Sequence, residues 1–433
     1  MDESTIQTIF NYLVSQEQIN LRMAGAVFLK QYLANYWMDN TEKCLENPNK
    51  KLSENVKGIF KSNILILLLN ADKTLFPTIM EMIIKVVASA GGYYNIWPNL
   101  MSDLKKILDQ NDMVKSNEIY HLISKVIKRY HIESRSDSLF SEIVKTIDTI
   151  AAKLTNDAQR ILGLLEKGEI RNTQELNTTL LMMRRIFSIF YSLNFQDFPY
   201  YFEDNLETWM NIFKRALVIQ LQQLPPDVEE NLMKFRAKLL KCLNLYYSSY
   251  FEDFFKYAQD FYPLVWNYLD IIKNDDNFSP LMKQLITFFD TNFKAGRFAQ
   301  IPVENVKTII DTLIIKNMSL SEKEMEEFED NPTNFIKIEM EEADMDSNKF
   351  FAIQLLQHIL EHKPELAQAQ IQPMILNFLN QYNSNKNTYW NQKISAINLL
   401  LAVSIQTFAQ RSKFIFYFIS FSWSYSVKSK FRT

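Results

Sequence analysis

The strongest chemical signal in the sequence is the segment His358-Ile359-Leu360-Glu361-His362. On a helix, two histidines four residues apart share one face and could hold a zinc ion, with Glu361 as general base. Such a site also needs a third protein ligand, normally a carboxylate further along the chain, and no Asp or Glu follows Glu365. We therefore expect no metal site and interpret both histidines as surface side chains in the last turn of a helix, where cations are stabilised.

Patterns for nucleophilic or nucleotide chemistry are missing from the sequence as well. Cys44 and Cys242 have no histidine nearby in sequence, and no GxSxG elbow occurs. The chain has 7 glycines in 433 residues, and none of their spacings forms GxGxxG or GxxxxGK, the loops that hold phosphates. We predict no catalytic residues, no cofactor and no enzymatic activity.

Composition indicates a folded protein of a reducing compartment. Hydrophobic residues make up 47% of the chain and charged residues 22%, a globular balance. The net charge of −3 gives no general attraction to phosphate backbones. The cysteines match no disulfide framework, and no uncharged apolar run reaches the ~20 residues that span a bilayer. We expect no nucleic-acid partner and no membrane insertion.

Apolar residues recur at i, i+3, i+4 and i+7 through nearly the whole chain, which predicts helices with one buried face. The clearest stripe lies in residues 113–130 and includes Ile119, Ile123 and Val126. Prolines and polar clusters separate the stripes, and several prolines stand where a helix would begin. The predicted helix pairs are 4–16 with 19–36, 53–70 with 78–90, 98–109 with 113–130, 136–165 with 172–192, 198–221 with 226–250, 253–272 with 279–294, 301–316 with 347–362, and 366–382 with 389–409.

A repeated helix hairpin of about 40–47 residues has the size of HEAT and armadillo units. Stacked hairpins of this kind form a solenoid with a long binding surface. We predict an all-α fold, a right-handed superhelical solenoid of HEAT-like helix hairpins, that works as a monomeric scaffold for other proteins.

Two segments depart from the repeat pattern. Residues 320–347 are strongly acidic and poorly periodic, which predicts an insertion that projects from the solenoid. This insertion is either a solvated loop without a partner or an electrostatic contact for a basic surface or a hinge. Residues 411–433 contain no acidic residue and many aromatic ones, so we interpret them as an interruption of the natural sequence; the alternative is a basic tail at a membrane surface.

Several motifs resemble those of importin-β-type transport receptors. Residues 21–37, LRMAGAVFLKQYLANYW, resemble the second helix of their first repeat, and residues 97–104 resemble the opening of their third. The more specific motifs are similar to those of the exportins that return importin-α to the cytoplasm. These motifs are RSDSLFSEI at 135–143, QDFPYYFEDN at 196–205, YFEDFFKYAQDFYPLVW at 250–266, EEFEDNP at 326–332 and the segment 390–403.

The resemblance implies a nuclear transport receptor, shuttling between nucleus and cytoplasm, that wraps Ran in its GTP form together with importin-α and also contacts nucleoporins. It implies N-terminal repeats over 1–110 with an incomplete first repeat, central HEAT repeats over 111–319, the insertion over 320–347, further HEAT repeats over 348–410 and the atypical tail. The implied inner-face contacts with Ran are Arg22, Lys30, Gln31, Asp103 and Lys106. The implied insertion or hinge residues are Glu326, Glu327, Glu329 and Asp330.

Two other functions stay open at this point. One is an importin-β-type carrier with different cargo, and the other is a helical-repeat scaffold that does not depend on Ran. Members of the resembled family continue for about as many residues again, so we expect this chain to bind Ran-GTP weakly, and importin-α weakly or not at all, compared with a full-length relative.

Overall fold

A computed structural model describes residues 1–15, 18–38, 41–89, 91–168, 170, 172–221, 223–273, 279–320, 322–334 and 347–406. All regular secondary structure in these residues is helical, which confirms the all-α prediction. The α-helices are α1 Glu3–Ser15, α2 Ile19–Tyr36, α3 Glu42–Glu46, α4 Glu54–Leu69, α5 Phe76–Ser89, α6 Tyr93–Ile96, α7 Leu100–Leu108, α8 Met113–Val126, α9 Asp137–Lys167, α10 Thr173–Asn194, α11 Tyr200–Asp204, α12 Leu206–Leu217, α13 Pro226–Ser249, α14 Phe251–Lys273, α15 Ser279–Lys294, α16 Val303–Ile309, α17 Glu322–Asp330, α18 Asn348–His362, α19 Gln372–Ser384 and α20 Trp390–Gln406.

Helix starts are set largely by short polar side chains that accept hydrogen bonds from free backbone N–H groups. Ser136 accepts from Leu139 N at 3.2 Å at the start of α9, and Asn172 accepts from Glu175 N at 2.9 Å at the start of α10. Gly168 ends α9 with φ of +64°, a left-handed conformation that glycine adopts without strain. These signals lie beside the apolar stripes, which is why the predicted pairs match the observed helices closely.

Four predicted helices are interrupted, and one of them, 198–221, breaks at Asn205 between α11 and α12. The helix predicted over 113–130 ends at Val126 and continues as a 3-10 turn over Ile127–His131. The helix predicted over 301–316 changes to a π turn over Ile310–Ile314. A second π turn, Ala367–Ile371, precedes α19. Pro373 in the first turn of α19 has no N–H to bond a carbonyl one turn earlier, so the hydrogen-bond register changes before it.

The chain divides into two compact units, residues 1–238 and 239–433. In the first unit, the first helices of successive hairpins pack on one another, α1 on α4, α7 on α9 and α9 on α12. The second helices do the same, α2 on α5, α5 on α8 and α8 on α10. First helices thus pack on first helices, and second helices on second helices. This stacking is expected of a hairpin repeat, in which each unit contacts its neighbours.

Aromatic side chains fill the core between α10 and α12. The ring centroid of Phe190 lies 4.3 Å from that of Trp209 and 5.1 Å from those of Phe202 and Phe213. All four side chains are fully buried. The motif around Phe202 therefore serves packing between repeats.

A buried ionic network joins α8 to α9. Asp157 is 1% exposed and accepts hydrogen bonds from Tyr120 Oη at 2.7 Å, Lys153 Nζ at 3.0 Å and Arg160 Nη2 at 3.3 Å. Burial and the neighbouring carboxylate raise the pKa of Tyr120 well above its usual value, so the phenol stays protonated and donates. Each member of the network thus depends on the others.

Two of the sequence motifs meet in space. Arg135, in RSDSLFSEI, donates to the backbone oxygen of Gln196, in QDFPYYFEDN. The Gln196 amide donates in turn to the carbonyl oxygens of Tyr130 at 2.7 Å and Glu133 at 2.9 Å. The two motifs form one junction between hairpins.

The second unit repeats the same packing with different elements. Helix α15 packs on α14 and α18, and α20 packs on α18 and α19. Tyr247, Phe254 and Phe288 form an aromatic cluster with centroid distances of 4.8–4.9 Å about Tyr247. Arg297 closes the cluster, with its guanidinium 3.4 Å from the centroid of Phe251 and a 3.0 Å hydrogen bond to the Tyr247 carbonyl oxygen.

Residues 335–346 of the acidic segment and the predicted tail, 411–433, lie outside the described residues. None of the helices in the described part of the chain is long and apolar enough to cross a membrane.

Candidate functional site

The second helices of unit 1 lie side by side and leave one row of side chains in solvent. Helix α2 buries Ala26, Leu29 and Leu33 and exposes Phe28 and Gln31. The burial pattern follows from helical geometry, since residues three and four apart share a face. We call the solvent side of α2, α5, α8, α10 and residues 226–238 of α13 the second-helix ribbon.

Of the predicted Ran contacts, Arg22 and Lys30 lie on α2 and are tied to neighbouring elements. Arg22 Nη1 lies 2.9 Å from Asp72 Oδ2, and Arg22 Nε donates to the Leu13 carbonyl oxygen at 2.8 Å. Lys30 Nζ lies 2.7 Å from Glu81 Oε2 on α5. Hydrogen bonding to Lys30 lowers the pKa of Glu81. Lys30 therefore ties α2 to α5, and Arg22 ties α2 to α1 and to the turn that precedes α5.

Gln31 is exposed on α2, in the same row as Phe28, whose side chain is 54% exposed. Sequence reasoning selected Gln31 and missed Phe28. The available signal was a large apolar residue at i−3 from a polar residue on the solvent side of an amphipathic helix.

Asp103 and Lys106 do not share this ribbon. They lie on α7, a first helix that packs on α9, and pair with each other through a 3.0 Å contact between Lys106 Nζ and Asp103 Oδ1. Lys106 is largely exposed, at 76%. The five residues therefore fall into two groups, because first and second helices form separate layers. Arg22, Lys30 and Gln31 are brought together on α2, and Asp103 and Lys106 on α7.

Cations concentrate further along the second-helix ribbon, in a region for which the sequence predicts no site. Lys125 and Lys128 are exposed at the end of α8, and Arg184 and Arg185 are half-buried on α10. Arg185 Nη1 donates to the Asn117 carbonyl oxygen at 2.6 Å, and burial lowers its pKa to about 10. The signal in the sequence is the i, i+3 spacing of Lys125 and Lys128 beside the apolar stripe of residues 113–130.

His121 occupies the same region of α8. Its ring stacks on Phe76, with centroids 6.2 Å apart, and its buried Nδ1 has no hydrogen-bond partner among the described residues. Burial, followed by the charges of Arg185, Lys125 and Arg184, lowers the pKa of His121 to about 4. The imidazole is therefore neutral at physiological pH, chiefly because it is buried and secondarily because cations lie near it.

The described part of the acidic segment begins with a helix, α17, that contacts the start of α20. The Phe328 ring lies 5.6 Å from that of Trp390. Asn391 bonds both backbone groups of Leu320, each at 3.0 Å, and contacts Met325 Sδ at 3.5 Å. Two apolar side chains at i and i+3 within the acidic run make this docking possible. The exposed side chains of α17 include the four predicted residues, Glu326, Glu327, Glu329 and Asp330.

Replacing Asn391 with alanine should loosen α17 locally. The change removes hydrogen bonds to both backbone groups of Leu320, each worth about 1 kcal/mol net. Amide hydrogen exchange in α17 should then accelerate by about tenfold, since 1.4 kcal/mol corresponds to that factor. Asn387→Ala, at an exposed side chain before α20, is the matched control. Unchanged exchange in N391A would show that Asn391 does not hold the helix.

The histidine pair on α18 is engaged with α15. His358 Nδ1 lies 2.7 Å from Asp290 Oδ1, and His362 Nε2 donates to the Phe293 carbonyl oxygen at 2.8 Å. His362 is exposed in the last turn, as predicted, whereas His358 is half-buried one turn earlier, so the surface interpretation was wrong for His358. Within the described ranges no group of three or more His, Cys, Asp or Glu side chains could hold a metal ion.

Stacked helix hairpins with charged, solvent-facing helix rows define a helical-repeat binding protein. The Cse1 family model matches residues 126–414, about two thirds of the chain, and the importin-beta N-terminal domain model matches residues 3–70. The chain belongs to the Cse1 family.

Individual relatives agree with this assignment. The chain is 27% identical over 393 residues to the importin alpha re-exporter of Saccharomyces cerevisiae, covering 89% of this chain and 40% of the relative. It is 25% identical over 405 residues to exportin-2 of Xenopus laevis, covering 92% and 41%. These are names of transport receptors and not of enzymes. The chain spans about two fifths of the length of these relatives.

A solved structure of the exportin Cse1 in its cargo-free, cytoplasmic state is similar to this chain, and the match covers 94% of this chain and 44% of the Cse1 chain. The TM-score is 0.81 at 25% sequence identity. The match confirms that the helix hairpins follow the fold of an exportin of this family.

Proposed function

We propose that this chain acts in nuclear transport as part of a receptor that carries importin-α out of the nucleus in complex with Ran-GTP. The observation that carries the proposal is the Cse1 family match over residues 126–414. The names of the relatives, an importin alpha re-exporter and exportin-2, support importin-α as the cargo. The receptor shuttles between nucleus and cytoplasm, passes the pore by contacting nucleoporins, and works as a monomer.

In this proposal the importin-beta N-terminal domain match, residues 3–70, supports Ran contact through α2. Arg22, Lys30 and Gln31 contact Ran from α2, and the pair of Lys30 with Glu81 keeps α2 in register with α5. Asp103 and Lys106 form a separate contact from α7. The exposed carboxylates of α17, Glu326, Glu327, Glu329 and Asp330, meet a basic partner surface or act at a hinge.

The proposal is tested by comparing the binding of Ran loaded with a non-hydrolysable GTP analogue with that of Ran-GDP. We expect a preference of at least about tenfold for the GTP form, a difference of 1.4 kcal/mol. Equal binding of both forms would favour a scaffold that does not depend on Ran. Capture of importin-α in the presence of Ran-GTP separates the proposed cargo from that of another importin-β-type carrier.

Phe28→Ala should weaken Ran-GTP binding by about tenfold. A large aromatic side chain that is exposed in the free protein and becomes buried in an interface is a typical hot spot, and its loss costs more than 1 kcal/mol. Folding should be little affected, because Phe28 is 54% exposed. Phe140→Ala on α9, a first helix, is the matched control, since that side chain is 52% exposed. Equal affinities of F28A and F140A for Ran-GTP would exclude α2 from the interface.

A further inference from the structure

We propose that the second-helix ribbon of unit 1 binds an acidic, extended protein segment along α10, between cations supplied by α8 and α13. This interaction surface is separate from the α2 residues considered above and does not depend on Ran. Three features support this binding: the register of the three helices, the lysines on the α8 side that have no carboxylate close by, and the positions of the carboxylates that interrupt the row.

Helices α8, α10 and α13 run parallel, as their cross-contacts show. Arg185 on α10 donates a hydrogen bond to the Asn117 carbonyl oxygen of α8. Towards the C-terminal end of α10, Ser192 Oγ lies 2.9 Å from Nδ1 of His131, which follows α8. On the other side, Arg184 lies level with Asn231 of α13 at 3.4 Å, and Tyr191 lies level with Lys238, whose Nζ is 6.0 Å from the ring centroid.

This register places cations on both sides of α10. On one side, Lys125 lies on α8 and Lys128 in the 3-10 turn that follows it. On the other side, Lys234 and Lys238 lie along α13, with Ser188 and Tyr191 of α10 between the two sides. Ser188 and Tyr191 are half-buried, so the surface between the two rows of lysines is uncharged and partly apolar. An extended chain along α10 can place alternate side chains toward either row, because successive side chains of an extended segment point to opposite sides.

Much of this positive charge has no close counter-charge. Lys125 and Lys128 form no ion pair with any residue that the structure describes. Arg184 forms a hydrogen bond to the Asn231 amide oxygen and lies within the electrostatic influence of the Glu230 carboxylate. The neutral His121, whose buried Nδ1 is unpartnered, faces Arg184, Arg185 and Lys125. A carboxylate on this surface would be attracted by the exposed Lys125 and Lys128 and by Arg184 and Arg185, which are already partly desolvated.

Two carboxylates favour an acidic peptide over nucleic acid. Glu118 Oε2 lies 3.9 Å from Arg185 Nη1, and Glu230 Oε1 lies 2.5 Å from Lys234 Nζ. A polynucleotide carries a phosphate at every step and would meet both carboxylates, whereas the carboxylates of a peptide can be spaced to avoid them. The whole chain also has a net charge of −3, so binding of a polyanion must come from a local surface.

The experiment uses the full chain and a fluorescently labelled peptide of ten glutamates, measured by anisotropy. We expect saturable binding that weakens as salt increases, since screening at 0.15 M acts over about 8 Å. The double variant Lys125→Gln/Lys128→Gln should bind about fivefold more weakly, as should Lys238→Gln combined with Lys234→Gln. The matched control is Lys105→Gln/Lys214→Gln on the first helices α7 and α12, which should change affinity less than twofold.

His121 supplies an independent readout, because the chain has 4 histidines that can be followed by NMR. Bound carboxylates should raise the pKa of His121 from its depressed value, and His121→Gln assigns the signal. The proposal is overturned if the control variant weakens binding as much as the ribbon variants, if a single-stranded oligonucleotide binds more tightly than the glutamate peptide, or if the pKa of His121 does not move.

Discussion

Replacing Asp157 with alanine should lower the free energy of unfolding by about 3–5 kcal/mol. The carboxylate is 1% exposed and accepts from Tyr120, Lys153 and Arg160. Its removal leaves the ammonium of Lys153, whose side chain is 10% exposed, without its buried counter-charge. The Tyr120 hydroxyl is also left unpaired in the core between α8 and α9, which adds a desolvation cost.

The measurement is urea unfolding followed by circular dichroism, with hydrogen exchange to localise the loss to α8 and α9. Asp109→Ala is the matched control, because Asp109 forms an exposed i, i+4 pair with Lys105 at 2.8 Å. Exposed pairs of this kind contribute about 0.2–1 kcal/mol. Asp157→Asn should fall between the two, since it keeps an acceptor for Tyr120 and loses the charge. Equal stabilities of D157A and D109A would contradict the role given to the network.

Phe190→Ala should destabilise the protein by a similar amount, about 3–5 kcal/mol. Phe190 is fully buried, and its ring lies 4.3 Å from Trp209 and 5.1 Å from Phe202 and Phe213. The alanine variant loses buried apolar surface and leaves a cavity that rigid neighbouring rings cannot fill. Because α10 and α12 belong to successive hairpins, the loss should weaken the packing between repeats.

Thermal unfolding and the change in Trp209 fluorescence provide the measurements. Phe190→Leu should cost less, because more of the volume is kept. Phe140→Ala is the surface control and should stay within about 0.5 kcal/mol of the parent protein. A Phe190→Ala variant as stable as the Phe140→Ala variant would show that this cluster does not carry the packing between α10 and α12.

The helix pairs could be predicted from the sequence because two local signals coincide. Apolar residues at helical spacing define each helix, and residues such as Ser136 and Gly168 mark its ends. The interruptions were harder to predict. The break at Asn205 separates α11 from α12 where a single helix, 198–221, was expected, and the Asn205 side chain bonds the Tyr201 carbonyl oxygen at 2.8 Å. Such a bond competes with helix continuation only in a particular backbone conformation.

The candidate site was less accessible to sequence reasoning, because it depends on which helices share a layer. Asp103 and Lys106 looked equivalent to Lys30 and Gln31, yet they lie on a first helix and the others on a second. The cations of the second-helix ribbon are far apart in sequence, from Lys125 to Lys238, and only the parallel register of three helices brings them together. The docking of α17 likewise depends on Trp390 and Asn391, more than fifty residues downstream.

The stacking of each hairpin on its sequence neighbours also bears on how the protein acquires its structure during synthesis. The hydrogen bonds that join successive hairpins connect residues with moderate separations along the chain. These separations are 50 residues for Arg22 and Asp72, 40 for Asn244 and Gln284, and 80 for Asn398 and Met318. Contacts of this short range let each hairpin fold against the preceding one as soon as it has left the ribosome. The growing chain can therefore acquire its native packing progressively from the N-terminus, without waiting for distant segments to be made.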